Sequence, residues 1–193
     1  MDFLTADAEG VARAAALLRA GGVVAFPTDT VYGLAARAGD PRAVRKIYEI
    51  KGRSLSQPLV LMVANASQLG DWVEPGAYAR KLMERWWPGP LTLVLPATRR
   101  VKPPLGAGSP RTLGVRIPDH PDALALLRAA GEPLATTSAN VTGRPPAMTP
   151  VEAALEGVAA VIDGGRAPGG VPSTVLDVTG PRPRTLRAGP VTI

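Results

Sequence analysis

Hydroxyl, carboxyl and guanidinium groups gather in this 193-residue chain at the ends of short apolar runs, where an α/β sheet presents side chains to a ligand. Pro27 stops the run Val23–Phe26, and Thr28, Asp29 and Thr30 follow at once in PTDTVYGL. Three hydrogen-bonding side chains at a strand end suit a polar ligand, and they equally suit a Thr/Asp turn. In KGRS, Lys51 and Arg53 flank a glycine, a spacing that lets two cations approach a polyphosphate or lets a helix end pair with its own dipole. Thr112 and Arg116 stand four apart in RTLGVRIPDH, so on a strand they share a face. An arginine on an inward strand face needs an anion, either a ligand carboxylate or a structural Asp or Glu. In ATTSAN, Thr136, Thr137, Ser138 and Asn140 offer small donors and acceptors for phosphate, ribose or metal-bound water, or an Asx/ST turn. Ser173 and Thr174 follow the glycine-rich stretch Gly164–Pro172, which reads as a lid or as a plain turn. Trp86–Pro90 reads as core and turn.

Missing residues narrow the chemistry further. With no cysteine there is no disulfide, no thiolate nucleophile and no cysteine-ligated zinc or iron–sulfur site. His120 is the only histidine, which excludes a His-Glu-x-x-His zinc site and a Ser-His-Asp triad on any other histidine. Neither G-x-x-x-x-G-K-[ST] nor a G-x-G-x-x-G after a strand occurs, so a bound nucleotide would be held by another arrangement. The net charge is +6, and 18 of the 22 cations are arginine. That bias favours anionic partners such as nucleotides or RNA, and it also follows from genome composition or heat adaptation. A non-catalytic RNA-binding module is therefore one alternative, although aromatic residues at 4% leave few stacking platforms. The start MDFLTADAEG lacks the basic and apolar regions of a secretory signal, and no run of about 18–20 apolar residues occurs, so a cytoplasmic protein without membrane contact is expected.

The elements that must position these groups alternate between helix and strand, which predicts an α/β domain. Asp7 caps a predicted helix to Arg19 that ends at Gly21-Gly22, and Val23–Phe26 is a strand. Asp40-Pro41 opens a helix with Val44, Ile47 and Tyr48 inward. Leu59–Ala64 is a buried strand, Pro75 starts a helix with Tyr78, Leu82 and Met83 inward, and Leu91–Leu95 is a strand. Leu113–Ile117 precedes a helix capped by Asp119 with Ala123, Leu124 and Leu127 inward. Leu134–Thr137, Val158–Ile162, Thr174–Val178 and Thr185–Arg187 are strands, Thr149-Pro150 opens a short helix, and Pro103–Pro110, Gly143–Pro146 and Gly164–Pro172 are loops. No internal repeat or long linker divides the chain, so one domain over 1–193 is expected.

PTDTVYGL, KGR before PL, WPGPLT, VR-x-P-x-H, TSAN-x-TG-RP and IDGG…PSTV-x-D, in that order from Phe26 to Arg187, resemble the signature series of the YrdC-type threonylcarbamoyl-AMP synthases. The resemblance implies an open, twisted mixed sheet with flanking helices and a concave basic cavity. It implies threonine binding by Thr30, Arg116, Thr136 and Ser173, with Arg116 on the carboxylate. ATP would be held by Lys51, Arg53, Thr112, Ser138, Asn140 and Arg187, with Lys51 and Arg53 also catalytic. Bicarbonate is the third substrate, Mg2+ accompanies ATP, and no resident metal is implied. The product would serve tRNA threonylcarbamoyl-transfer proteins, with tRNA or RNA contact left open. This chain departs from the family pattern at Ser54 (usually proline), Met62 (often histidine) and Pro146 (often small and polar). Met62 removes a polar substrate contact and keeps open a YciO-like sibling with other nucleotide chemistry. The chain resembles the short form that lacks an extra C-terminal domain.

Overall fold

A computed structural model describes residues 1–106 and 111–193 of this chain. The strands are β1 (Asp2–Thr5), β2 (Val24–Phe26), β3 (Gly33–Arg37), β4 (Val60–Met62), β5 (Leu91–Pro96), β6 (Thr112–Arg116), β7 (Leu134–Ser138), β8 (Ala160–Asp163), β9 (Thr174–Asp177) and β10 (Arg184–Arg187). The helices are α1 (Ala8–Arg19), α2 (Pro41–Lys51), α3 (Ala77–Trp86) and α4 (Pro121–Ala130). Among the described residues the strands form one mixed sheet in the order β1-β8-β2-β3-β7-β4-β6-β5-β9-β10.

Local signals place most of these elements. Asp7 accepts a hydrogen bond from Gly10 N at 2.8 Å and starts α1. Asp40 accepts from Arg42 N and Ala43 N, Pro41 supplies the first helical φ, and Gly52 ends α2 at φ 57°, a left-handed cap. Other expectations are corrected. Asp119 does not cap α4: the cap position is His120, with no side-chain cap bond, and Leu126 is fully buried where Leu124 is only partly so. Tyr78 is exposed, because α3 turns Ala79, Leu82 and Met83 inward instead. The segment at Thr149-Pro150 is a series of turns and not a helix; Glu152 accepts from Met148 N and Thr149 N, closing a local turn. Strands β1 and β3 add to the strands that the sequence predicts, β3 being hidden in the small residues of Gly33–Arg37. The loop expected over Pro103–Pro110 lies outside the described residues at 107–110.

Two apolar clusters sit on opposite sheet faces. On the first, α2 and α3 bring Val44, Ile47, Tyr48, Leu82 and Met83 against Leu34, Leu61, Leu91, Leu93, Leu113, Val115 and Leu176. On the second, α1 and α4 bring Ala14, Leu18, Leu126 and Leu127 against Leu4, Val24, Phe26, Ala35, Leu134, Ala160 and Ile162. The second cluster thins out at β4, and from there to β10 that face becomes a cavity wall.

Candidate functional site

The open part of the second face follows from period-2 alternation. In β5 Leu91, Leu93 and Leu95 enter the first core while Thr92 and Val94 face the cavity; in β6 Leu113 and Val115 do so while Thr112, Gly114 and Arg116 face the cavity. Thr136 and Ser138 of β7, Val60 and Met62 of β4, and Val175 and Asp177 of β9 extend the same surface. The cavity measures about 400 Å³, within the usual range for small-molecule sites. Four arginines line it, Arg53, Arg116, Arg184 and Arg187, against a single carboxylate, Asp177. Eight of the ten expected site residues line it: Thr30, Arg53, Thr112, Arg116, Thr136, Ser138, Ser173 and Arg187. Lys51 and Asn140 stand behind the wall.

Arg116 is the best-held cation. It is 3% exposed, and its Nε donates to Gly89 O at 2.9 Å, its Nη1 to Thr30 Oγ1 at 3.1 Å and its Nη2 to Asp29 Oδ1 at 2.5 Å. The structural ion pair raised as an alternative for Arg116 is thus present in Asp29. Of five guanidinium N–H groups three are committed, leaving one each on Nη1 and Nη2 for a ligand. Burial lowers the Arg116 pKa, with Asp29 opposing. Asp29 Oδ2 is buried and has no partner among the described residues.

Lys51 ends α2 at 1% exposure and, among the described residues, pairs with no carboxylate. Its Nζ donates to Ser138 O at 2.6 Å, Asn140 O at 2.7 Å and Asn140 Oδ1 at 3.1 Å. All three ammonium donors are therefore spent on the end of β7 and the turn after it. Burial first, and the Arg53 charge second, lower its pKa to about 8. Asn140 completes the bracket: its Nδ2 donates to Val141 O and Arg144 O, and its Oδ1 accepts from Ser138 Oγ at 2.6 Å. Arg53 donates to Gln57 O and Pro58 O and lines the cavity.

At the far edge Arg187 donates from Nε and Nη2 to Ser173 O and from Nη2 to Ser173 Oγ. Burial and then the charges of Arg116 and Arg53 lower its pKa, so the three guanidiniums share one electrostatic field. That field favours an anion. Thr92, Asp177 and Arg184 are site residues the sequence did not single out; Thr92 and Arg184 could have been found from strand alternation alone. The Gly164–Pro172 segment is tied down: Tyr32 Oη donates to Gly165 O, Ala167 N to Met148 O and Gly170 N to Thr30 O. A Cβ on Gly169 would lie 2.5 Å from Asp29 O, so this loop packs directly on the backbone that carries Thr30. Of the three departures only Met62 lines the cavity; Ser54 is exposed and bonded to Ser56 Oγ, and Pro146 lies elsewhere. Among the described residues no three His, Cys, Asp or Glu stand together as a metal cage, and no helix is long and apolar enough to cross a membrane.

Known proteins are similar to this chain in sequence and in fold. The family profile described as telomere recombination, covering Sua5, YciO and YrdC, matches residues 16–189. The threonylcarbamoyl-AMP synthase of Bacillus subtilis (strain 168) is 46% identical over 99% of this chain and 56% of its own length. That of Pyrococcus abyssi (strain GE5 / Orsay) is 43% identical over 91% of this chain and 53% of its own length, so this chain spans about half of each. Among solved structures, P. abyssi Sua5 complexed with L-threonine superposes with TM-score 0.94 at 38% identity, covering 98% of this chain and 58% of that one. E. coli YciO superposes with TM-score 0.88 at 31% identity, covering 98% of this chain and 95% of that one. A profile match over nearly the whole length and relatives this similar give one conclusion: the chain belongs to the Sua5/YciO/YrdC family.

Proposed function

We propose that this chain is an L-threonylcarbamoyladenylate synthase, which converts ATP, bicarbonate and L-threonine to threonylcarbamoyl-AMP and pyrophosphate. The product would feed threonylcarbamoyladenosine modification of tRNA through separate transfer proteins. The observation that carries this is the meeting of Arg53, Arg116 and Arg187 with Thr30, Thr136, Ser138 and Ser173 in one cavity. Its charge suits a triphosphate together with an amino-acid carboxylate. The relatives named threonylcarbamoyl-AMP synthase and the Sua5 complex with L-threonine support the same substrates.

In this scheme the threonine amine attacks bicarbonate carbon, and water leaves to give the carbamate. A carbamate oxygen then attacks the α-phosphorus of ATP; the bond from that phosphorus to the bridging β-oxygen breaks, and pyrophosphate departs. No protein nucleophile is needed, in keeping with a chain without cysteine. The two remaining N–H groups of Arg116 would take the threonine carboxylate, and Arg53 and Arg187 would offset phosphate charge as it develops. Lys51 and Asn140 would serve by holding Ser138 in place. Alignment of this kind supplies roughly 7–11 kcal/mol of barrier reduction. Mg2+ would enter as the counter-ion of ATP.

Mass spectrometry after incubation with ATP, Mg2+, bicarbonate and L-threonine tests the proposal: threonylcarbamoyl-AMP is expected. Its absence, with nucleotide turnover indifferent to threonine, would favour a second possibility, a YciO-like member with other nucleotide chemistry. Met62 in the cavity wall is the observation behind that alternative.

A further inference from the structure

The direction of most hydroxyl protons in the cavity is dictated by their partners. Thr28 Oγ1 donates to the Val31 carbonyl at 2.6 Å, so at its 2.9 Å contact with Thr30 Oγ1 the donor is Thr30. Thr136 Oγ1 donates to the Val60 carbonyl, and Ser138 Oγ donates to Asn140 Oδ1. That amide oxygen is identified by its neighbours, since Nδ2 faces two carbonyls while Oδ1 faces the Lys51 ammonium. Thr30, Thr136 and Ser138 therefore offer a ligand only lone pairs.

Thr92 and Ser173 differ. Their Oγ atoms are 2.8 Å apart and either is able to donate, while Arg187 Nη2 donates into Ser173 Oγ at 3.1 Å. One proton bridges the pair, and among the described residues the other has no protein acceptor. The pair is thus able both to donate and to accept toward the cavity, in a place where Thr92 is 1% and Ser173 4% exposed. Thr92 also bridges two halves of the site. Leu93 pairs with Val115, so one step along that ladder sets Thr92 beside Arg116 on the same face. On its other side Leu91 pairs with Thr174, next to Ser173. The Thr92 methyl points toward Gly114, where a Cβ would lie 3.3 Å away, which fixes its hydroxyl toward Ser173.

We propose that Thr92 is a specificity-determining residue: with Ser173 it reads the side-chain hydroxyl of a β-hydroxy amino acid whose carboxylate lies on the neighbouring Arg116. This rests on the proposed function and adds the residue, Thr92, that reads the substrate hydroxyl. An amino acid with a methyl in place of that hydroxyl leaves the buried pair with an unmet proton, a penalty that a hydrogen-bonding site converts into rejection.

Pyrophosphate release with L-threonine and with L-valine, at saturating ATP and bicarbonate, tests it in wild type, Thr92→Val and Thr92→Ser. Thr92→Val is expected to shrink the threonine-to-valine ratio of kcat/KM roughly ten- to hundredfold while leaving the KM for ATP within about twofold. Thr92→Ser keeps the hydroxyl and is expected to keep the ratio. A folded Thr92→Val with the wild-type ratio overturns the proposal, as does one whose defect falls equally on ATP. Should Thr92→Val not fold, Thr92→Ser decides, since a collapsed ratio in that variant refutes the assignment. A wild-type enzyme without threonine-dependent turnover overturns the proposed function and this assignment together. Threonine-dependent wild type with an indifferent Thr92→Val overturns the assignment alone.

Discussion

The second face of the sheet is built two ways. Over β1, β8, β2 and β3, α1 and α4 cover it, and its residues are Leu4, Val24, Phe26, Ala35, Ala160 and Ile162. From the end of β7 across β4, β6, β5 and β9 to β10 none of the described residues lining the cavity comes from a helix, and the face carries Thr92, Thr112, Gly114, Arg116, Thr136, Ser138, Ser173 and Arg187. Side chains alternate in the same way in both halves, and in both the opposite face is apolar, through Val23, Ala25, Leu34, Ala36 and Val161 in one and Leu61, Leu91, Leu93, Leu113 and Val115 in the other. What differs is whether a helix supplies an apolar partner. Where none does, polar side chains satisfy one another, and their leftover donors and lone pairs become the binding surface. Met62 stands at the seam, packed in the second cluster and lining the cavity.

Breaking the open half should cost function before it costs the fold. Arg116→Lys keeps a charge for Asp29 but loses the planar fork, and Arg116→Ala leaves Asp29 buried and unpaired. Arg116→Ala is expected to weaken threonine by about 2–5 kcal/mol, with a much smaller effect on ATP, measured by titration calorimetry. Arg116→Lys should lie between it and wild type. Equal losses for both substrates would separate Arg116 from the threonine end.

Breaking the covered half should do the reverse. Leu127→Ala, in a fully buried α4 position, is expected to cost about 2–5 kcal/mol in denaturant unfolding. The KM values of the folded fraction should not move, because Leu127 does not line the cavity.

Lys51 sharpens the comparison through pH. Its folded pKa of about 8 lies below the ordinary 10.5, so the native state disfavours the ammonium. Below about pH 8 the charged form carries that penalty in full, and between about 8 and 10.5 the unfolded chain binds more protons than the native one. Stability contributed by this site therefore rises with pH across that window. Lys51→Met should abolish the rise in thermal melts, read as the difference from wild type. The same variant should weaken ATP more than threonine, through a loosened Ser138–Asn140 turn.

The smallest effect is expected far from both halves. Arg13 and Asp2 form an exposed pair at 3.2 Å, and Asp2→Asn should change stability by only about 0–1 kcal/mol, less still at high salt.

Much of this was legible in the chain as a string of residues. Caps at Asp7 and Asp40, the alternation in Leu91–Leu95 and Thr112–Arg116, and polar clusters after apolar runs are local signals, because helices and strands impose their periods within a few residues. The six motifs, in their order along the chain, also point to the family. What only the folded chain decided is who meets whom. Arg116 finds Asp29, and Lys51 finds Ser138, each across 87 positions. Neither pairing has a trace in nearby residues. Strand order places β6, β5 and β9 side by side although helices and loops separate them in the chain, and that order sets Thr92 between Arg116 and Ser173. It also moved Lys51 from the cavity to the scaffold behind it, since an ammonium has three protons and the turn after β7 takes all of them.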